Sequence, residues 1–105
     1  MGTIKSSKEI DLIFKNGKKI NLPFLVIILF NDKENLIKGN IAFIAGKKNG
    51  NAVWRNKSKR KLREIYKELK INKECKMLLV AKKGIEKENL NEMIEICNKK
   101  LKEQK

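Results

Sequence analysis

Three stretches of the chain place apolar residues at the three- and four-residue spacing of amphipathic helices. Each stretch follows a residue pattern that is typical of a helix start, and Gly17 is suited to end the first helix. The predicted caps are Ser6 with Glu9 for the first helix, Asn51 for the second, which runs to about Leu69, and Asn89 with Glu92 for the third. The core-facing stripes are Ile10, Ile13 and Phe14; Leu62, Ile65, Tyr66 and Leu69; and Leu90, Met93, Ile94, Cys97 and Leu101.

The other apolar segments predict four strands. The run Phe24 to Phe30 is uninterrupted, which is typical of a strand buried on both faces, and Pro23 argues against a central ladder position just before it. The order α-β-β-β-α-β-α indicates a single α+β domain over residues 1–105, with a short frayed tail at about 99–105. The other predicted strands are Lys18 to Leu22, Leu36 to Ala45 and Met77 to Ala81, and the predicted turns and loops are Asn31 to Asn35, Lys47 to Gly50 and Lys82 to Glu88.

Charge indicates a polyanionic partner. Lys and Arg number 26 against 12 Asp and Glu, so the net charge is +14, and such self-repulsion is typical of proteins that bind nucleic acid. All the arginines, Arg55, Arg60 and Arg63, lie in the second helix. The first turns of this helix carry cations and no acid, although cations near a helix N-terminus oppose the helix dipole. Because guanidinium groups bind phosphate with two parallel bonds, this helix is predicted to bind a nucleic-acid backbone. A merely solvated basic face is the alternative.

The residues that are absent narrow the chemistry of the chain. Without histidine, the imidazole acid–base pair of metal-free ribonucleases and histidine-activated nucleophiles are excluded. Cys75 and Cys97 alone cannot form a tetrahedral zinc site, and we expect them to be reduced thiols of a cytoplasmic protein. No acidic cluster indicates a two-metal site, although acids distant in sequence could converge in space. We expect no catalytic residue, no protein-bound metal ion, no membrane association and no obligate protein partner.

The run from Lys47 to Glu64, KKNGNAVWRNKSKRKLRE, is the most specific pattern in the chain. It resembles the signature of the bacterial ribonuclease P protein subunit, which reads approximately Ser-Lys-Lys-x-Gly-Asn-Ala-Val-x-Arg-Asn-Arg-x-Lys-Arg-x-x-Arg-Glu. The segment FKNG at Phe14 also looks like the family's Phe-Lys-x-Gly, and the resemblance extends over about residues 4 to 101. Lys57 and Ser58 depart from the pattern, since they replace the usual arginine and apolar residue.

The resemblance implies an α/β sandwich with a four-stranded sheet and a left-handed βαβ crossover. It also implies a large catalytic RNA as partner, which uses magnesium to remove the 5′ leader from precursor tRNA. The protein would contact that RNA through the signature loop and helix. The RNA-binding residues that the resemblance implies are Lys47, Lys48, Asn51, Arg55, Asn56, Lys59, Arg60 and Arg63.

The resemblance also implies a cleft between the first helix and the sheet, which would bind the single-stranded 5′ leader. The implied leader-binding residues are Ile10, Phe14, Phe24 and Ile27. Ile10 and Ile27 stand where family members often have aromatic residues, so base stacking should be weaker here, and Phe14 could equally be a core residue. Two other functions stay open at this point. One is a ribosomal or other structural RNA-binding protein, and the other is a stand-alone nuclease, against which the missing histidine argues.

Overall fold

The computed structural model describes residues 3–34, 36–70 and 75–103, and it has the predicted element order. Short 3-10 turns at Lys47–Asn49 and Ile85–Lys87 occupy two of the predicted loops. The described helices and strands are α1 (Ser7–Asn16), β1 (Lys18–Asn21), β2 (Leu25–Asn31), β3 (Ile41–Ile44), α2 (Ala52–Glu68), β4 (Cys75–Ala81) and α3 (Leu90–Glu103).

The strands form one mixed sheet in the order β1-β2-β4-β3. The β2 strand pairs antiparallel with both β1 and β4. Its successive residues Ile27 and Ile28 are buried on opposite faces, as the sequence predicts, whereas Val26, Leu29 and Phe30 are half-buried. The edge strand β3 runs parallel to β4, and α2 forms the crossover between them. Parallel strands need a long crossover connection of this kind, so the signature helix α2 is also required to join β3 to β4.

Each face of the sheet has its own hydrophobic core, and the two faces differ in how much helix packs against them. Helices α2 and α3 bury one face, where Leu62, Ile65 and Cys97 pack against β2, β3 and β4. This agrees with the predicted stripes of both helices. The ten-residue α1 lies on the opposite face, where Ile13 packs with Ile28 and other buried residues. That face therefore has less helical cover than the other.

The predicted strand Leu36 to Ala45 is too long, since only Ile41–Ile44 is a strand. The carboxylate of Asp32 accepts hydrogen bonds from the backbone N–H groups of Leu36 and Ile37, both at 2.9 Å. These side-chain bonds hold the segment as a loop, because they offer its backbone an alternative to the sheet ladder. In the predicted turn before it, Asn31 belongs to β2 and Asn35 lies outside the described residues.

The helix ends follow the sequence with two corrections. Ser6 is the N-cap residue of α1 but makes no side-chain capping bond, and Glu9 instead accepts a 2.6 Å hydrogen bond from the backbone N–H of Lys38. The second correction is that α3 continues to Glu103, five residues into the predicted tail, whose fraying stays a prediction. The predicted cap of α3 is confirmed, since Asn89 Oδ1 accepts a 3.1 Å bond from the Glu92 N–H. Among the described residues, no helix combines the length and apolarity that a membrane crossing requires.

Candidate nucleic-acid interface

The start of α2 is fixed by the residues just before it. Asn51 caps the helix, because its Oδ1 accepts a 3.0 Å hydrogen bond from the backbone N–H of Trp54. Gly50 leaves room for the Trp54 ring, since a Cβ at this glycine would lie 2.7 Å from Trp54 side-chain atoms. The signature Gly-Asn pair therefore has a local structural role. The first turn of α2 carries no acid, so nothing offsets the unfavourable interaction of the basic side chains with the helix dipole.

The basic side chains of α2 lie beside its apolar stripe. At about 100° per residue, Asn56, Lys59, Arg60 and Arg63 fall on the same flank of the helix. Asn56, Arg60 and Arg63 are exposed and Lys59 is half-buried. Exposed Lys48 precedes the helix in the 3-10 turn. We call this set the basic flank: Lys48, Asn56, Lys59, Arg60 and Arg63.

The rest of the predicted RNA-binding set does not lie openly on this flank. Arg55 is half-buried, and its Nε is enclosed without a hydrogen-bond partner among the described residues. Asn51 is exposed but already uses its Oδ1 as the helix cap. The side chain of Lys47 lies outside the described part of the chain. Ser58 is fully buried, and its Oγ has no hydrogen-bond partner among the described residues.

The Arg63 side chain contacts an aromatic pair that is formed by Phe43 and Tyr66. The guanidinium carbon of Arg63 lies 5.8 Å from the ring centroid of Phe43 on β3, a cation–π distance. The Phe43 ring in turn meets Tyr66 edge to face, with centroids 5.9 Å apart and planes at 76°. Burial raises the pKa of Tyr66 above its ordinary value, so this ring stays neutral at physiological pH. The arrangement holds the Arg63 head at the edge of the sheet.

The opposite flank of α2 is anchored to the 3-10 turn Ile85–Lys87 by contacts that the sequence did not predict. Lys61 Nζ donates to the carbonyl oxygens of Ile85, Glu86 and Glu88 at 3.1, 2.7 and 3.0 Å. The indole N–H of Trp54 donates to the Glu86 carboxylate. The pKa of Glu86 is lowered, first by the hydrogen bond from its own backbone N–H and then by that of Trp54. Lys61 is thus a structural lysine, although it directly follows Lys59 and Arg60 in the sequence.

The predicted leader cleft is only partly assembled. Ile10 and Phe14 are half-buried on α1, and both pack against the core of the α1 face. Phe24 and Ile27 lie in the other core, under α2 and α3, so the prediction that they line the same cleft is wrong. Along β2, Leu25, Ile27 and Leu29 point to one face of the sheet, whereas Val26, Ile28 and Phe30 point to the other.

The structure identifies a different set of sheet residues on the α1 face. Val26 on β2, Val80 on β4 and Ile44 on β3 are direct neighbours across three strands, and all three are half-buried. We call them the half-exposed row. The next row along the sheet, Ile28, Leu78 and Ala42, is buried. Period-2 alternation would have identified the half-exposed row had the register of β2 been known.

Among the described residues, no group of three or more histidine, cysteine, aspartate or glutamate side chains is arranged to hold a metal ion. Cys97 is buried, which raises the pKa of its thiol to about 12, and Cys75 is half-buried. The exposed cations of the basic flank can bind anions such as phosphate.

Comparison with known proteins agrees with this geometry. The family model described as Ribonuclease P matches residues 2–105. The chain is 37% identical over 93 residues to the ribonuclease P protein component of Syntrophomonas wolfei, which covers 86% of this chain and 76% of that protein. It is 30% identical over 102 residues to the component from Finegoldia magna, which covers 91% of this chain and 88% of that protein.

A solved structure of the Staphylococcus aureus RNase P protein has the same fold. It superposes with a TM-score of 0.72 over 99% of this chain and 94% of that chain, at 23% identity. The family model and the shared fold both extend over nearly the whole chain. The chain therefore belongs to the ribonuclease P protein family, whose members are protein subunits of the endoribonuclease that processes the 5′ ends of tRNA.

Proposed function

We propose that this subunit binds the catalytic RNA of ribonuclease P through the basic flank and the 5′ leader of precursor tRNA through the α1 face. The first part rests on one observation, namely that the basic side chains of α2 differ in whether the protein itself binds them. Lys61 is hydrogen-bonded inside the protein, whereas Arg60 and Arg63 are exposed and make no ion pair with a described acid. Charges left in solvent on one flank are available to phosphate.

The leader site would combine the half-exposed row with α1. Val26, Val80 and Ile44 give an apolar strip that α1 does not fully cover. Phe14 is the aromatic residue of α1 and could stack on a base, which is worth about 1–3 kcal/mol per base in single-strand binding. The strip itself is aliphatic and presents no polar group to read base edges, so little base discrimination is expected.

Magnesium enters the proposal through the RNA. The catalytic RNA would use the ion to cleave the phosphodiester bond, and the protein would supply no catalytic residue. The basic flank would offset repulsion between the phosphates of the two RNAs, so the holoenzyme would need less magnesium than the RNA alone. The proposed role is a cytoplasmic one.

Reconstitution with a ribonuclease P RNA tests the first part. The protein should lower the magnesium concentration at which that RNA cleaves precursor tRNA, and the protein alone should not cleave. Replacing Arg60 or Arg63 with alanine should weaken binding of the RNA by roughly 1–3 kcal/mol each, for loss of a charge-assisted contact. Cleavage that follows the purified protein without RNA would refute the proposal.

Leader length tests the second part. Phe14→Ala should weaken holoenzyme binding of precursor tRNA with a long leader and leave binding of mature tRNA nearly unchanged, which serves as the internal control. Circular dichroism must first show that the variant is folded, because Phe14 also packs against the core. A folded variant with unaltered dependence on leader length would exclude Phe14 from the leader site and leave the basic flank unaffected.

A further inference from the structure

A second basic surface lies at the other end of α2, where that helix ends beside the last turns of α3. A cavity of about 540 Å³ there is lined by Lys70, Asn98, Lys99, Leu101 and Lys102. We call it the lysine pocket. It lies outside the signature run, and the described residues of its lining include three lysines and no acid. The sequence gives no reason to separate these lysines from the other lysines of the chain.

Ion pairing distinguishes the pocket lysines from their neighbours. Lys67 pairs with Glu64 at 3.3 Å, and Lys100 pairs with Glu103 at 3.6 Å. Within residues 3–34, 36–70 and 75–103, no acid forms an ion pair with Lys70, Lys99 or Lys102. At this end of α2 and α3, the described lysines that line the cavity are therefore the ones without an ion pair, and a cavity lined by charges of one sign concentrates counter-ions.

The backbone around the pocket is held in place by one side chain. Asn98 Oδ1 accepts a 2.8 Å hydrogen bond from the backbone N–H of Lys70, and its Nδ2 donates to the Glu68 carbonyl oxygen at 3.1 Å. Asn98 thus joins the end of α2 to α3. Leu101, which is 8% exposed, adds an apolar patch to the lining. The pocket therefore combines a backbone held by hydrogen bonds with exposed lysine side chains, which suits phosphate groups spaced along a strand.

The neighbouring cavity between the same two helices has the opposite charge. It has a volume of about 470 Å³, and its lining includes Glu64, Glu68 and Glu95. A polyanion would be repelled there and attracted at the lysine pocket. The helix pair thus separates its charges along its length.

We propose that the lysine pocket binds phosphate groups of RNA, as a second contact in addition to the basic flank. The proposal rests on the proposed RNA-binding function and extends it to residues that the signature does not include. RNA is favoured over an acidic protein because the whole chain carries +14 and already has one phosphate-binding flank. The phosphates could belong to the catalytic RNA or to the precursor tRNA, and two arms of one experiment distinguish them.

The test compares two double variants of equal charge. Lys99→Ala/Lys102→Ala removes two pocket lysines, and Lys87→Ala/Lys100→Ala removes two exposed lysines outside the pocket. Lys100 lies in the same last turns of α3 as the pocket lysines, so the control also reports any loss of a favourable helix-dipole interaction. One arm measures binding of ribonuclease P RNA to the protein, and the other measures binding of precursor tRNA to the holoenzyme, both over a range of salt concentrations.

We expect the pocket variant to lose roughly ten-fold in affinity in one arm, and the slope of log affinity against log salt to become shallower by about 1.5. Lys99→Arg/Lys102→Arg should keep both values, because the charges remain. If the pocket and control variants have equal affinities and salt slopes in both arms, the proposal that the lysine pocket binds phosphate is wrong. If Arg60→Ala and Arg63→Ala still weaken binding in that case, the proposed function stands. If instead those arginine variants bind normally while the pocket variant does not, the pocket stands and the basic flank fails.

Discussion

The contact between Arg63 and Phe43 makes the sharpest prediction about the basic flank. Phe43→Leu keeps an apolar side chain of similar size under the guanidinium but removes the aromatic face. The 5.8 Å distance is near the outer limit of about 6 Å for a cation–π contact, and Arg63 is exposed. The contact is therefore worth about 0.5–1 kcal/mol, at the low end of the range.

This energy converts to a measurable change in affinity. If Phe43 acts by holding Arg63 ready for phosphate, Phe43→Leu should weaken RNA binding by roughly two- to five-fold, since ~1.4 kcal/mol is a factor of ten. Arg63→Ala should cost about 1–3 kcal/mol. The double variant should bind like Arg63→Ala alone, because the aromatic ring then has no guanidinium to hold.

Filter binding at fixed salt, with the wild type, both single variants and the double variant, completes the cycle. Phe43→Tyr keeps an aromatic face and serves as the matched control, so its affinity should stay close to wild type. Thermal unfolding must show that each variant is folded, since Phe43 also packs against Tyr66. If Phe43→Leu weakens binding as much in the Arg63→Ala background as in the wild type, Phe43 does not act through Arg63 and the reasoning is wrong.

Four further predictions concern the stability and reactivity of single sites. Asn51→Ala should lower the free energy of unfolding by about 1 kcal/mol for loss of the helix cap, whereas Asn51→Ser should restore most of it, as chemical denaturation would show. Ser58→Ala should raise the free energy of unfolding by about 1 kcal/mol, because it removes a buried hydroxyl without a partner, and a loss of stability would reveal a hidden hydrogen bond. The lowered pKa of Glu86 stabilises the fold above the ordinary glutamate value of about 4.3 and ceases to do so as the pH falls through the folded value, so Glu86→Gln should flatten the acid side of a thermal-stability profile. A thiol reagent at neutral pH should modify Cys75 before Cys97 in the folded protein, since burial raises the pKa of Cys97 to about 12, and mass spectrometry of peptides from a timed reaction would detect the reverse order.

The helices were predicted well because their signals are local. A cap, a stripe at three- and four-residue spacing and a terminating residue all lie within one segment, and for α2 these signals alone gave both ends to within a residue. The prediction of a strand in the segment before β3 was wrong, because the conformation of that segment depends on the carboxylate of Asp32. This carboxylate accepts hydrogen bonds from residues four and five positions later. The apolar residues of the segment favour a strand, and strand propensity takes no account of a side chain that competes with the sheet for backbone N–H groups.

The leader-site prediction failed in part for a different reason. A continuous apolar run carries no alternation, so it cannot show which of its residues share a face with α1. Only the packing of the helices on the two faces of the sheet assigns Val26 to the α1 side and Ile27 to the other. The anchoring of α2 was likewise hidden, because Trp54 and Glu86 are 32 positions apart in the chain. Long-range pairing, which one sequence does not reveal, decides both points.

The acid-free first turn of α2 has a consequence for the life of the unassembled subunit. A chain with +14 net charge and cations near a helix N-terminus gives up folding free energy when no polyanion is bound. A ligand that binds only the folded state returns about 2.7 kcal/mol when it is present at 100 times its dissociation constant. Copies made in excess of the RNA would therefore unfold more often and be degraded sooner than assembled ones. Supply of the RNA would in this way set the amount of protein that persists in the cell.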